Sequence, residues 1–349
     1  MSAAALLEWF RAHRRDLPWR GDPRDPYRVV VSEFMLQQTQ VDRVVPRFVA
    51  FVERFEDFVA LASASEDEVL EMWAGLGYYR RARLLHRLAK AVVERGGRLP
   101  NTASELERLP GIGPYTAAAV ASLAFGESVP VLDGNVLRVG SRVLALAANP
   151  RSATGRRILE AWVEDLLAEA PAGEINEGLM ELGATLCTPS SPDCVRCPLA
   201  SGCSARAAGR IEDYPPPRAR RATIELRWVA ACAADDSGRW LLQRIDDGPI
   251  LRGLWLPPLA DVAADDDPIQ IARGLLAGND LGDGMVGRSV CHSITHRRIE
   301  VVPVQFAAKN AEPPRDGWLW TDARSPGVPT SSLLAKLVHV FDQTPKDFR

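Results

Sequence analysis

Lysine is almost missing from the first two hundred residues: Lys90 stands alone before residue 205, although arginine is plentiful there. Chemistry that needs an amine nucleophile therefore has a single candidate in that stretch. No apolar run approaches the ~20 residues that cross a bilayer, and residues 1–20 carry charges where a secretory leader needs an unbroken apolar core. A cytoplasmic protein with no membrane partner is expected. Excess charge is also lacking; a net −3 excludes a uniformly basic coat for nucleic acid and leaves only local patches, such as Arg80, Arg81, Arg83 and Arg218, Arg220, Arg221, as phosphate sites. Internal repeats and low-complexity tracts are absent.

What is present divides in two. A chain of 349 residues exceeds one ordinary core, so two domains are expected. Apolar residues at three- and four-residue steps predict helices over 3–13, 29–55, 65–74, 80–95, 103–109, 115–125, 135–146, 153–170 and 176–187, with Ser65 and Glu68 placed as a capping box. Residues 1–204 thus read as an all-α domain. The Arg-, Ala- and Pro-rich stretch 205–222, with Pro215, Pro216 and Pro217 in succession, reads as an extended linker. Beyond it, 224–233, 240–244 and 298–306 read as strands and 268–277 and 331–341 as helices, an α+β domain over 223–349.

Four of the six cysteines, Cys187, Cys194, Cys197 and Cys203, form a C-x6-C-x2-C-x5-C run that could wrap one metal centre. Zinc or disulfides would use the same residues; a cytosolic setting disfavours the latter. Cys232 and Cys291, single on strands, are expected to be buried. Between two helices, Leu109-Pro110-Gly111-Ile112-Gly113-Pro114-Tyr115 is either a tight turn or a backbone cradle for a phosphate at Gly111 and Gly113. Asp133 lies twenty residues beyond Gly113, and Glu33 sits among apolar neighbours in Val31-Ser32-Glu33-Phe34-Met35. Either acid has an ordinary reading, a turn for Asp133 and a solvated helix face for Glu33.

Together, the cysteine loop, the hairpin, the spaced Asp133 and the segment VSEFMLQQTQ resemble the endonuclease III and MutY glycosylases of the helix-hairpin-helix superfamily. The resemblance implies an all-α glycosylase domain holding a [4Fe–4S] cluster on Cys187, Cys194, Cys197 and Cys203, then an α+β Nudix-like domain. It implies a monomeric, monofunctional enzyme that removes adenine opposite 8-oxoguanine or guanine in double-stranded DNA. Glu33 would protonate adenine at N7; Asp133, oriented by Asn135, would stabilise the cationic sugar. Tyr115 stands where lyase relatives carry a Schiff-base lysine, so backbone cutting is not expected. Gln38 and Tyr78, with Leu76 nearby, would fill the gap left by an extruded base, while Arg20 and Glu177 would line the adenine pocket and Arg196 contact phosphate.

After the linker, Trp240-Leu241-Leu242-Gln243-Arg244 and Gly253-Leu254-Trp255-Leu256-Pro257 are similar to the module with which this family inspects 8-oxoguanine, but the glutamate-rich metal helix of pyrophosphohydrolases is missing. The family's Phe-Ser-His triplet reads Ile294-Thr295-His296 here, leaving Thr295 and His296 as lesion readers. A glycosylase for T opposite G, or a non-catalytic damage-binding protein, are the competing readings.

Overall fold

Helical spacing of apolar side chains organises the first part of the chain. The computed structural model describes residues 3–217, 222–248, 250–277, 279–309 and 316–343. It divides into one unit comprising Met1–Met72 and Tyr78–Ala219 and a second comprising Arg220–Arg349 with Trp73–Gly77. The first unit contains α1 (Ala3–His13), α2 (Pro26–Leu36), α3 (Val41–Arg54), α4 (Phe58–Ser63), the capped α5 (Glu66–Met72), α6 (Arg80–Glu94), α7 (Ala103–Leu106), α8 (Pro114–Phe125), α9 (Gly134–Val143), α10 (Ala153–Leu167), α11 (Ala172–Thr185) and the short α12 (Ser204–Ala207). Leu6 of α1, Val139 of α9, Leu159 of α10 and Leu179 of α11 meet in one fully buried cluster. Each such side chain stabilises the fold by about 1.5–3 kcal/mol relative to exposure.

Three expectations need correction. The helix expected over 29–55 is two, because the chain leaves α2 through Gln37–Gln40, where Gln38 is left-handed at φ 60. Neither Gly nor Pro marks that break in the sequence; its cause is tertiary and lies in Arg81, as described below. The helix α4 went unforeseen, although Asp57 caps it by accepting from Ala60 N at 2.7 Å. Residues 205–217 are not wholly extended either: α12 buries Ala205, and the carbonyl of Tyr214 accepts from Arg142 Nε at 3.1 Å. The Arg218, Arg220, Arg221 patch lies outside the described residues.

The second unit is built on a sheet of β1 (Ile224–Ala234), β2 (Trp240–Arg244), β3 (Trp255–Leu256), β4 (Leu259–Asp261), β5 (Asp280–Leu281), β6 (Met285–Val286), β7 (Val290–Ile294), β8 (Arg297–Lys309) and β9 (Trp318–Thr321), with α13 (Pro268–Leu275) and α14 (Ser332–Asp342). At its centre β1 and β8 run parallel, in register from Ile224↔Arg297 to Ala234↔Ala307. Their side chains alternate between two cores. Ala230, Cys232, Ile299 and Val301 meet Leu333 and Leu337 of α14, while Val229, Ala231, Val302 and Phe306 meet Ala272 of α13. Covering both faces explains why β1 reads as a continuous apolar run. Cys232 is buried as expected, whereas Cys291 is exposed on β7.

Candidate active site

Asp25 starts α2 by accepting from Tyr27 N at 2.9 Å, with Pro26 at the first helical position. The helix is then buried without interruption from Val29 to Met35, so Glu33 is carried inside, 6% exposed. Burial raises its carboxyl from 4.5 to about 7; a hydrogen bond from the Tyr115 hydroxyl partly opposes this, and the charges of Asp133 and Glu177 add to it. Tyr115, on the first turn of α8, is pushed well up by burial and by Glu33, so it remains a donor at neutral pH. A carboxyl poised near neutrality between a donor and two acids is suited to giving up a proton.

Asp133 is the N-cap of α9: Oδ1 accepts from Val136 N at 2.6 Å and Oδ2 from Asn135 Nδ2 at 2.9 Å. Burial raises its carboxyl, while these bonds and the charge of Arg138 draw it back down. The segment leading into it is pinned by Asn176, fully buried on α11, whose Oδ1 accepts from Val131 N at 3.1 Å and whose Nδ2 donates to Val129 O and Ser122 Oγ. From Asn135 a chain of bonds runs outward. Arg138 Nη2 donates to Asn135 Oδ1 at 2.9 Å and to Gly183 O at 2.7 Å, and its Nε donates to Cys187 O at 2.8 Å. The aspartate and the cysteine loop are thereby joined through two side chains, Asn135 and Arg138.

Arg20 and Glu177, expected to line a pocket, are engaged with each other. Arg20 Nε meets Glu177 at 2.7 Å and Nη2 meets Glu181 at 2.8 Å; Arg24 also pairs with Glu177 and Arg15 with Glu181. Glu177 is thus paired with two guanidinium groups, those of Arg20 and Arg24. In the hairpin, Gly111 is left-handed at φ 79, and a Cβ there would meet Leu84 Cβ at 2.8 Å. Gly113 is neither left-handed nor crowded, and open space stands where its side chain would be. That open space lies at the start of α8, where backbone N–H groups have no partner within the helix and can meet a phosphate oxygen.

Gln38 and Tyr78 are both exposed, Tyr78 at 47%, and both are left-handed, at φ 60 and 50. Leu76, expected to join them, is buried at 5% and presents no surface here. Arg81, expected in a surface phosphate patch, is buried as well, while Arg83 is paired with Glu66. Lys90 is exposed on α6.

The HhH-GPD superfamily model of base excision DNA repair proteins matches residues 31–165. The adenine DNA glycosylase of Mycolicibacterium smegmatis is 45% identical over 210 residues, covering 60% of this chain and 71% of that protein. The chain belongs to the adenine DNA glycosylase family. The human adenine DNA glycosylase is 46% identical over 211 residues, covering 58% of this chain and 39% of the human one. The chain thus spans about two fifths of that larger relative. A solved structure of a thermostable thymine-DNA glycosylase is 30% identical with a TM-score of 0.54, covering 59% of this chain and 95% of its own.

In this member of the adenine DNA glycosylase family none of the four loop cysteines is in a disulfide, and all four line one cavity beside Arg142. Arg142 Nη1 lies 3.4 Å from Cys187 Sγ and also donates to Thr188 O at 2.7 Å. Burial raises the Cys194 thiol and pushes Cys197 up to about 11. Among the described residues no three His, Cys, Asp or Glu side chains gather as a single metal ion requires. Four thiols around one cavity are a donor set that a thiophilic metal group would accept. Next to them Val195 is 90% exposed, and Arg196 is exposed with Asp193 3.7 Å away.

In the second unit Thr295 and His296 form the tip of the β7–β8 hairpin, closed by Ile294↔Arg297. Thr295 is exposed and left-handed at φ 56, and its Oγ1 lies 3.3 Å from His296 Nδ1. Sequence reasoning missed Asn176, Arg138 and Glu181, and misplaced Arg81. A signal existed for Arg81: it falls four residues before Leu85 and seven before Leu88, on the apolar stripe of α6.

Proposed function

We propose that this chain is a monofunctional adenine DNA glycosylase acting on adenine opposite 8-oxoguanine or guanine in double-stranded DNA. The observation that carries the reading is the buried Glu33, held near neutrality with Tyr115 and Asp133 around it. A base must leave the stack before its C1′–N9 bond can be reached. Glu33 gives its proton to adenine N7, which turns the base into a neutral leaving group as the bond breaks and its electrons pass to the ring. The sugar is left with oxocarbenium character, and Asp133, fixed by Val136 N and Asn135, sets a negative charge against it. Water then adds at C1′ and its proton returns to the Glu33 carboxylate, which restores the acid. Tyr115 sets a hydroxyl near Glu33 and offers no amine, so the abasic product keeps its backbone.

The cysteine loop is read as the seat of a [4Fe–4S] cluster held by Cys187, Cys194, Cys197 and Cys203, with the Arg142 charge facing Cys187 Sγ. When bound it would supply folding energy to the loop that carries Arg196, not redox chemistry on the base. The second unit is read as a Nudix-like domain that inspects the opposite base through Thr295 and His296.

The similarity to a thymine-DNA glycosylase gives the competing reading, T opposite G, a concrete basis. Incubation with duplexes carrying A opposite 8-oxoguanine, A opposite G, and T opposite G separates the two. Release of adenine with thymine left in place supports the proposal; release of thymine alone, or binding without release, overturns it.

A further inference from the structure

Helices commonly end in a left-handed residue, and glycine is the usual occupant because other side chains are strained there. Past α2 that position belongs to Gln38, and a second left-handed, exposed residue, Tyr78, precedes α6. Two long side chains stand where glycine would be easier, which points to a use for the side chains themselves.

One buried group serves both positions. Arg81 Nη1 donates to the carbonyls of Phe34 and Met35, each at 2.9 Å, and to Gln37 O, while Nη2 donates to Thr39 Oγ1 at 3.0 Å. Those carbonyls belong to the end of α2, which a helix cannot satisfy by itself. Gln38 is bracketed by two of these partners, so its backbone cannot relax without breaking them. On the other side the guanidinium carbon lies 5.5 Å from the centre of the Tyr78 ring, and Arg81 N donates to Tyr78 O at 2.8 Å. A planar fork with a stacking face can do both; an ammonium cannot.

We propose that Arg81 is a positioning residue that locks Gln38 and Tyr78 into one rigid double wedge and ties that wedge to the helix carrying Glu33. The inference rests on the proposed role of Gln38 and Tyr78 in filling the space of an extruded base. It assigns the rigidity of the wedge to a group that touches neither DNA nor the reacting atoms. Extrusion of the base is then the step that depends on Arg81, and the capture of DNA already lacking a stacked base does not.

The test uses the full chain and a duplex with 2-aminopurine opposite 8-oxoguanine, whose fluorescence rises on unstacking. Arg81→Lys should slow extrusion about tenfold. Its affinity for a duplex carrying an abasic-site analogue, measured at a temperature where the variant is folded, should stay within about threefold. Gln38→Ala and Tyr78→Ala should each slow extrusion, and Arg81→Lys combined with either should be no slower than the worse single variant. Parent-like extrusion by Arg81→Lys, or effects that multiply in the double variants, would overturn the proposal. Should Arg81→Lys fail to fold, Thr39→Val, which deletes one partner of the guanidinium, should slow extrusion about threefold, and a parent-like rate there overturns it equally. Parent-like rates for both Gln38→Ala and Tyr78→Ala would instead bring down the wedge reading, and this proposal with it.

Discussion

Replacing Glu33 by Gln takes a titrating proton out of a buried site, so it should change the pH dependence of stability as well as the reaction. Burial raises the Glu33 carboxyl from 4.5 to about 7. Between those values the folded chain holds a proton that the unfolded chain has lost. The contribution is therefore fully present below the unfolded value and is lost as pH rises through the folded one. At about 1.4 kcal/mol per pH unit, the shift sets a ceiling of about 3 kcal/mol on that loss. Glutamine has nearly the same shape and no charge to bury. Glu33→Gln should therefore gain on the parent by about 1–3 kcal/mol between pH 5 and pH 8, while adenine release falls by a factor of about 10²–10⁴. Denaturant midpoints of the two proteins across that range supply the measurement. A stability difference that does not vary with pH would mean that Glu33 ionises normally, and the argument for a buried acid would fail.

Asp133→Asn keeps an acceptable N-cap for α9 and should cost less than about 1 kcal/mol of stability, yet slow single-turnover release about 100-fold or more; the reverse pattern would reduce Asp133 to a capping role. Arg138→Met deletes donors to Asn135, Gly183 and Cys187, and should destabilise the first unit by about 1.5–3 kcal/mol and lower the iron retained per chain, read by visible absorbance; unchanged iron and stability would show that the link to Asp133 carries no energy. Borohydride should trap little covalent complex, since Lys90 is exposed on α6 and Tyr115 occupies the hairpin; efficient trapping at Lys90 would contradict the monofunctional reading. Alanine at both Thr295 and His296 should weaken the preference for 8-oxoguanine over guanine by about 0.5–1.5 kcal/mol for each bond lost, with chemistry at adenine spared; undiminished preference would remove the β7–β8 tip as the reader.

Helices with a clear apolar stripe and local caps were legible from sequence, α1 and α5 among them, because periodicity and the Ser65–Glu68 pair are local signals. The end of α2 was not, since the Arg81 guanidinium that takes its carbonyls comes more than forty residues later. The same limit applies to the site. Glu33 and Asp133 stood out by type and spacing, but what tunes them depends on Tyr115, Asn176 and Glu177, brought together only by the packing of α2, α8 and α11. Arg20 and Glu177 were recognised separately, and their pairing across a sequence separation of 157 was not. Leu76 shows the converse, a position whose motif suggested contact with DNA and whose side chain is buried.

The pH dependence of single-turnover adenine release from a duplex carrying A opposite 8-oxoguanine tests most directly whether Glu33 is the acid. The rate should be flat just below neutrality and fall about tenfold per pH unit above about 7, as the Glu33 carboxyl ionises. In Glu33→Gln the residual rate should lose that alkaline limb. A parent rate that stays level to pH 9, or an alkaline limb that survives in the variant, would contradict proton donation by Glu33.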